Sequence, residues 1–312
     1  MDRGLMMKDF RYHVVSLTAV FLALAIGIVM GSGPLRTALV GEQDERIAQL
    51  EDDLAVAGDD LAAQRDEAVA GEQFADESAA TLLPGSLDGV STAVLTVAQP
   101  RDDDVTAMSE RLVQAGSTIA GEITIGAAWT DPDQAAFRNS LASTLAPDLV
   151  GVDTDAAPTT VLAHALAQAL MPGAGPAAGD DEDSAERARL LMELLTEAEM
   201  VSGTVAGDVD AVVMAAGPGD NADDVSTASA AYADLSGVLA EYAQGVVVSS
   251  GIDADGDVPS AVQNSPTASA LVTTVVTGLD YYGRITTPLA LAQNIGGEVA
   301  GFGPGDGRRM LP

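Results

Sequence analysis

Between Tyr12 and Leu35 the chain carries no Asp, Glu, Lys or Arg, and no other feature limits its folding as strongly. About 24 uncharged, mostly apolar residues make a helix long enough to cross the hydrocarbon core of a bilayer, for which about 20 suffice at roughly 1.5 Å of rise each. Arg3, Lys8 and Arg11 precede the run, whereas Glu42, Asp44 and Glu45 follow it. Because segments rich in Lys and Arg stay on the cytoplasmic side, residues 1–11 are expected in the cytoplasm, 12–35 in the plasma membrane in contact with lipid, and the rest outside. A cleavable signal peptide is the rival reading. Its apolar region is ordinarily shorter, and the small-residue stretch Gly31-Ser32-Gly33 is followed by Pro34, a poor residue just past a cleavage point. The length favours an uncleaved, single-pass anchor.

Inside that run Ala19, Ala23, Gly27 and Gly31 recur every fourth residue and share one helix face. Gly27 and Gly31 have the G-x-x-x-G spacing that lets two membrane helices bring their backbones together, which makes the stripe a candidate surface for helix pairing. Small residues are also common in membrane helices that pair with nothing, and both readings stand.

After the anchor a seven-residue repeat begins. Val40, Ile47, Leu54, Leu61 and Ala68 take its first position, and Leu50 and Ala57 its fourth, which predicts a coiled-coil stalk within residues 38–83. In a parallel pair Arg46 of one chain faces Glu51 of the other and Asp60 faces Arg65, whereas Glu67 opposes Glu72. Gln43 and Gln64 interrupt the seam, and Gly58 and Gly71 each cost the helix about 1 kcal/mol. The expected interface is therefore Val40, Ile47, Leu50, Leu54, Ala57 and Leu61, serving a homodimer or a partner protein of the cell envelope. Packing of this helix on its own domain is the alternative.

Residues 87–312 read as an extracytoplasmic α/β domain. "STAVLTV", "STIAGEITIG", "DAVVMAAG" and "GVVVSS" have the composition of buried strands. Helical stretches separate them: a segment with Val105, Met108 and Leu112 on one face, then "DPDQAAFRNSLASTL", "PTTVLAHALAQAL", "AERARLLMELLTEAEM" and "STASAAYADLSGVLAEYA". That alternation predicts a mostly parallel sheet covered by helices. Asp102, Asp103, Asp104 and Asp131 are candidate caps, and Asp183 with Glu186 has capping-box spacing.

Composition narrows the function. The 312 residues include 14 basic and 47 acidic side chains, a formal charge of −33 that repels nucleic acid, so no nucleic-acid partner is expected. With a hydrophobic fraction of 47%, the acids are expected to coat a folded core. Cysteine is absent, which removes disulfides, thiolate metal sites and thiol nucleophiles. Of the two histidines, His13 falls at the cytoplasmic edge of the anchor and His164 in a helix rich in Ala and Leu. No Ser-His-Asp arrangement is marked around either, so the chain is not expected to be an enzyme and no catalytic residue is assigned.

Two loops resemble ligand motifs and depart from them. "GPGDNA", residues 217–222, fits G-x-G-x-x-A, yet Asp220, Asp223 and Asp224 would crowd a pyrophosphate with negative charge and Pro218 occupies the turn; no nucleotide is expected. "DADGD", residues 253–257, spaces carboxylates as an EF-hand loop does, but Val258 and Asn264 stand where Gly and a bidentate Glu belong. The run Asp180, Asp181, Glu182 and Asp183 reads as a solvated linker.

The stretch from Arg11-Tyr12-His13 through Gly31-Ser32-Gly33, "RYHVVSLTAVFLALAIGIVMGSG", resembles the N-terminus of the actinobacterial MctB-like membrane proteins, labelled copper transport proteins. The order of segments that follows, ending in the apolar "TTPLALAQNIGG", also looks like that family, so the resemblance covers nearly the whole chain. It implies a part in copper transport or efflux and copper homeostasis, and it links the chain to cell separation through partners that govern peptidoglycan hydrolases. Copper is implied by the resemblance only, and no cofactor is evident from the residues. Cu(I) takes thiolate, thioether and imidazole ligands. Met1, Met6, Met7 and His13 lie at the inner end of the anchor and Met30 at its outer end, while Met108, Met192, Met200 and Met214 sit at core spacing and form no M-x-x-M array. A lone span lines no pore, so an accessory component is expected. The second reading is a membrane-anchored scaffold that binds envelope partners through the stalk.

Overall fold

The computed structural model describes residues 6–32, 34–153, 155–176, 182–218, 222–251, 257–304 and 308–312, with 6–10, 32, 34–45, 182 and 222–226 described as backbone only. The chain divides into two compact units, Met1–Val69 and Ala70–Pro312.

The first unit is helical. Helix α1 (Met6–Ser32) contains the uncharged run as far as Ser32, and α2 (Pro34–Leu82) begins with proline at its first position, where the missing N–H leaves no helical bond unmade. The end of α2, from Ala70, belongs to the second unit. There Gly71, Ala75 and Ala79 succeed one another at every fourth residue, with Ala75 and Ala79 buried. A Cβ on Gly71 would run into the Tyr281 ring. Small residues let the helix lie close against the domain, and Leu83 and Leu87, 0% and 1% exposed, complete the contact at about 1.5–3 kcal/mol each.

The second unit is built on a seven-stranded sheet in the order β3-β2-β1-β4-β5-β6-β7. Its strands are β1 (Ser91–Val97), β2 (Thr118–Ile125), β3 (Val201–Val205), β4 (Ala211–Ala216), β5 (Gly245–Ser250), β6 (Thr273–Val276) and β7 (Gly301–Phe302). Every neighbouring pair is parallel except β2 with β3. Helices α3 (Asp102–Gln114), α4 (Ala135–Leu145), α5 (Pro158–Leu170), α6 (Glu182–Glu197), α7 (Ala222–Leu239), α8 (Val258–Asn264) and α9 (Gly283–Ile295) cover it. Side chains alternate across the pleat. Leu95, Val97, Val212, Met214, Val246 and Val248 join the core beneath α5 and α7, whereas Val94, Val213, Val247 and Val275 join the one beneath α3, α9 and the end of α2. With both faces covered, β4 and β5 are buried throughout, which is why they read as unbroken apolar runs.

At the amino-terminal edge Asp210 joins three strands. Its carboxylate accepts from the Ser91 amide at 2.9 Å and from the Gln244 side chain at 2.9 Å, while its own N–H donates to the Ser91 carbonyl at 2.8 Å. Across the sheet, the Asn294 side chain of α9 accepts from the Val246 amide at 2.7 Å and donates to the Leu271 carbonyl at 3.1 Å.

Local details depart from expectation in three places. The helix predicted through Met200 ends at Glu197, and Val201–Val205 instead forms the antiparallel edge strand. The turn between them is made by Glu199 at φ +55, so no glycine marks it. Asp183 lies inside α6 and Glu186 is bonded to Arg189 at 2.7 Å, so the capping box does not form. Asp102, Asp103 and Asp104 occupy the first turn of α3 and complement its dipole, while Arg101 holds the cap position without a side-chain bond.

Candidate functional site

On α1, Arg11–Gly31 is long and apolar enough to cross a membrane, and no other described helix is. Its side chains are exposed, Leu17, Val20, Phe21 and Leu24 each by more than half. Ala19, Ala23, Gly27 and Gly31 are exposed in the same way, and a Cβ on Gly27 or Gly31 would meet nothing within 4 Å. The stripe is therefore open to another helix.

On α2 the heptad residues lie bare as well: Ile47 is 54% exposed, Leu50 61%, Leu54 71% and Leu61 48%, and Ala57 is exposed. The Val40 side chain lies outside the described residues. Arg46, Glu51, Asp60 and Arg65 form no ion pair among the described residues, which leaves their charges available to a second chain.

In a doubly wound sheet the usual ligand crevice opens where the strand order reverses, here beyond the carboxyl ends of β1 and β4. Protein fills it. Ala98 and Gln99 turn back at φ +53 and +51, and Gly217 lies so close beneath them that a Cβ there would collide with the main chain of Ala98 and Pro100. Only glycine permits that approach. The remainder of "GPGDNA", residues 219–221, and "DADGD" up to residue 256 lie outside the described residues, as do 177–181 of the acidic linker.

Beside this closed crevice the amino-terminal ends of α3 and α9 share a charge cluster. Arg284 donates to the Asp104 carboxylate at 2.8 Å and to the Leu279 carbonyl at 3.1 Å. Burial pushes the Asp280 carboxyl above the usual carboxylate range; nearby Asp104 adds to the shift and Arg284 opposes it. Tyr281, the next residue, is the one seated on Gly71, and Asp76 of the same α2 segment pairs with Arg111 of α3. Sequence marks only Asp104 here, as a candidate cap, and Gly71 reads as a helix defect until its neighbour is known.

His164 acquires partners that the sequence does not mark. Its Nδ1 lies 3.0 Å from the Tyr242 hydroxyl, which also accepts from the Gln168 side chain at 3.2 Å, and Gln168 in turn donates to the Val150 carbonyl at 2.9 Å. Burial lowers the His164 pKa from its ordinary value, with the charge of Glu241 working the other way. The group ties α5 to the end of α7 and to the Val150 loop. No nucleophile is bonded to it.

Most described methionines of the α/β domain are packed away. Met108, Met200 and Met214 are 0% exposed and belong to the two cores, and Met192 is half-buried against one of them. Met30 and His13 are exposed on α1, while Met1, Met6 and Met7 lie outside the described side chains. Among the described residues no group of three or more His, Cys, Asp or Glu side chains is placed to hold a metal ion.

Among the described residues, a membrane-length apolar helix and a long second helix precede an α/β domain whose mostly parallel sheet is covered by helices on both faces, and these features define the class of protein. Residues 7–312 match the family described as "Copper transport outer membrane protein, MctB", and the chain belongs to that family. It is 28% identical over 310 residues to proteins named copper transporter MctB in Mycobacterium tuberculosis and Mycobacterium bovis, covering 96% of this chain and 98% of theirs. The protein of that name in Mycobacterium leprae is 28% identical over 316 residues, covering 98% of this chain and 99% of its own.

Proposed function

We propose that this chain serves copper transport as an accessory component anchored by α1 in the plasma membrane, with its short N-terminus in the cytoplasm and its α/β domain outside. Copper is cargo in this reading, moved by an assembly to which the chain belongs. The observation that carries it is the family match over residues 7–312 joined to a single membrane-length helix among the described residues. One helix lines no path for an ion. The family description names the outer membrane. Proteins that span that membrane do so as closed barrels with a lipid-facing outer surface, whereas the sheet here is open and covered by helices on both faces. The basic residues before the uncharged run and the acidic ones after it support the plasma membrane and the stated orientation. Neither a nucleotide nor a catalytic role is assigned: among the described residues Gly217 is packed against the main chain of Ala98 and Pro100 at the switch point, and His164 is engaged by Tyr242.

A second reading, a scaffold that recruits envelope partners involved in cell separation, is favoured by the bare heptad stripe on α2. Both readings require the same topology. A reporter active only outside the cytoplasm, fused after Leu83, should be active, and the full chain should remain in the plasma-membrane fraction with its N-terminus intact. A mature chain starting near Pro34, or recovery with the outer membrane, would overturn the reading.

A further inference from the structure

We infer that the free edge of the sheet at β3 is a docking site for an extended, Lys- or Arg-bearing segment of a partner protein, which adds to the sheet as an eighth strand. The ladder between β2 and β3 is bracketed by bonds from the Gly126 amide to the Met200 carbonyl at 2.8 Å and from the Ala206 amide to the Ala120 carbonyl at 2.7 Å. Between them Thr124 stands opposite Ser202 and Glu122 opposite Thr204. The alternation of an antiparallel ladder then spends the main-chain groups of Ser202 and Thr204 on β2 and turns those of Gly203 and Val205 outward. Among the described residues nothing pairs with these outward groups. Ser202, Gly203 and Thr204 are exposed, and Gly203, at φ +124, has no side chain to shield them.

The two edges of the sheet are treated differently. At β7 the chain covers its own edge: Phe302 bridges to Arg309, and the Gly303 amide donates to the Arg309 carbonyl at 3.0 Å. β3 carries neither lysine, proline nor an inward charge. Alongside it runs a groove between α6 and the β3–β4 connection, lined by Ala188, Met192, Thr196, Val205 and Gly207. Alternate side chains of an added strand would enter this groove.

Charge selects the occupant. Glu193 and Glu197 line the groove, and exposed Glu199 and Asp208 stand at the two ends of the strand. The arginine in the groove, Arg189, is already held by Glu186 at 2.7 Å and Glu193 at 3.3 Å. A second copy suits the edge poorly, because antiparallel pairing centred on Gly203 sets Glu199 of one chain opposite Gly207 of the other, one residue from Asp208, in a protein whose formal charge is −33. A strand alternating apolar and basic residues matches both groove and rim. The surface is separate from the heptad stripe, and its test is independent of copper.

The test uses the full chain in detergent micelles and a fluorescein-labelled peptide of alternating valine and lysine, with a valine-glutamate peptide as control. Anisotropy should show saturable binding of the lysine peptide, and exchange of the Gly203 and Val205 amides should slow about tenfold when it is bound. Val205→Pro removes an outward donor while leaving the β2 ladder intact, and should weaken binding about tenfold. If that variant fails to fold, the exposed pair Glu193→Lys with Glu197→Lys should give a similar loss. Equal binding by parent and both variants, or exchange that does not slow, would show diffuse charge attraction and overturn the proposal. So would a dimer of the full chain that Val205→Pro dissolves, since the occupant would then be a second copy.

Discussion

Burial sets the state of His164. The Tyr242 hydroxyl accepts from Gln168 at 3.2 Å and lies 3.0 Å from His164 Nδ1, the direction of that bond following the imidazole tautomer. Burial lowers the folded-state pKa of His164 below the ordinary 6.5. The unfolded chain therefore takes up this proton first as pH falls. The contribution is fully present above about pH 6.5 and is lost as pH drops through the lower folded value. Urea unfolding of the full-length protein at several pH values should show His164→Gln losing less stability than the parent between about pH 7.5 and 5. Parallel curves for the two proteins would remove His164 from the account. Composition reveals little of this, since His164 stands in an Ala- and Leu-rich helix and its partner lies far along the chain. Gly217 is the opposite case: "GPGDNA" is conspicuous in sequence, yet at least part of its glycine requirement comes from a backbone crossing above it.

Among the elements, β1, β2, β4 and β5 were legible because each is a compact β-branched run, and α3 and α5 because their apolar faces or caps are plain. Edge strands were not. β3 is "VSGTV", short and half polar, and it follows α6 through a turn made by Glu199 where sequence offers no breaker. β6 and β7, four and two residues long, fall below the length at which a pattern forms. The heptad repeat is legible in sequence, but not where it gives way. From Ala70 onward the small residues Gly71, Ala75 and Ala79 serve a contact with the α/β domain, so the proposed pairing seam is confined to the residues before it. Exposed Ile47, Leu50, Leu54 and Leu61 support a parallel pair there. Replacing Leu54 and Leu61 together with Asp puts two charges per chain into that seam and should abolish self-association or partner binding, with the α/β domain still folded by circular dichroism. In a protein without cysteine, a single Cys at position 47 or 54 should give a disulfide-linked dimer in membranes. No crosslink from either position, with unchanged partners for the double variant, would reduce this helix to a spacer.

For the whole molecule, the family match and the architecture place different demands on copper. The family and its mycobacterial relatives carry copper transport in their names. In this chain Met108, Met200 and Met214 fill cores, and the one described membrane-length helix presents apolar side chains around its circumference. A copper path in this account belongs to an assembly, with the anchored α/β domain as one part. The direct measurement is copper entry into liposomes that hold the purified full chain alone, read by a Cu(I)-sensitive dye sealed inside. The account predicts a rise no faster than in protein-free vesicles. Saturable copper entry that scales with the amount of protein, and that is lost when Gly27 and Gly31 are both replaced by Leu, would contradict it and make the paired α1 helices themselves the pathway.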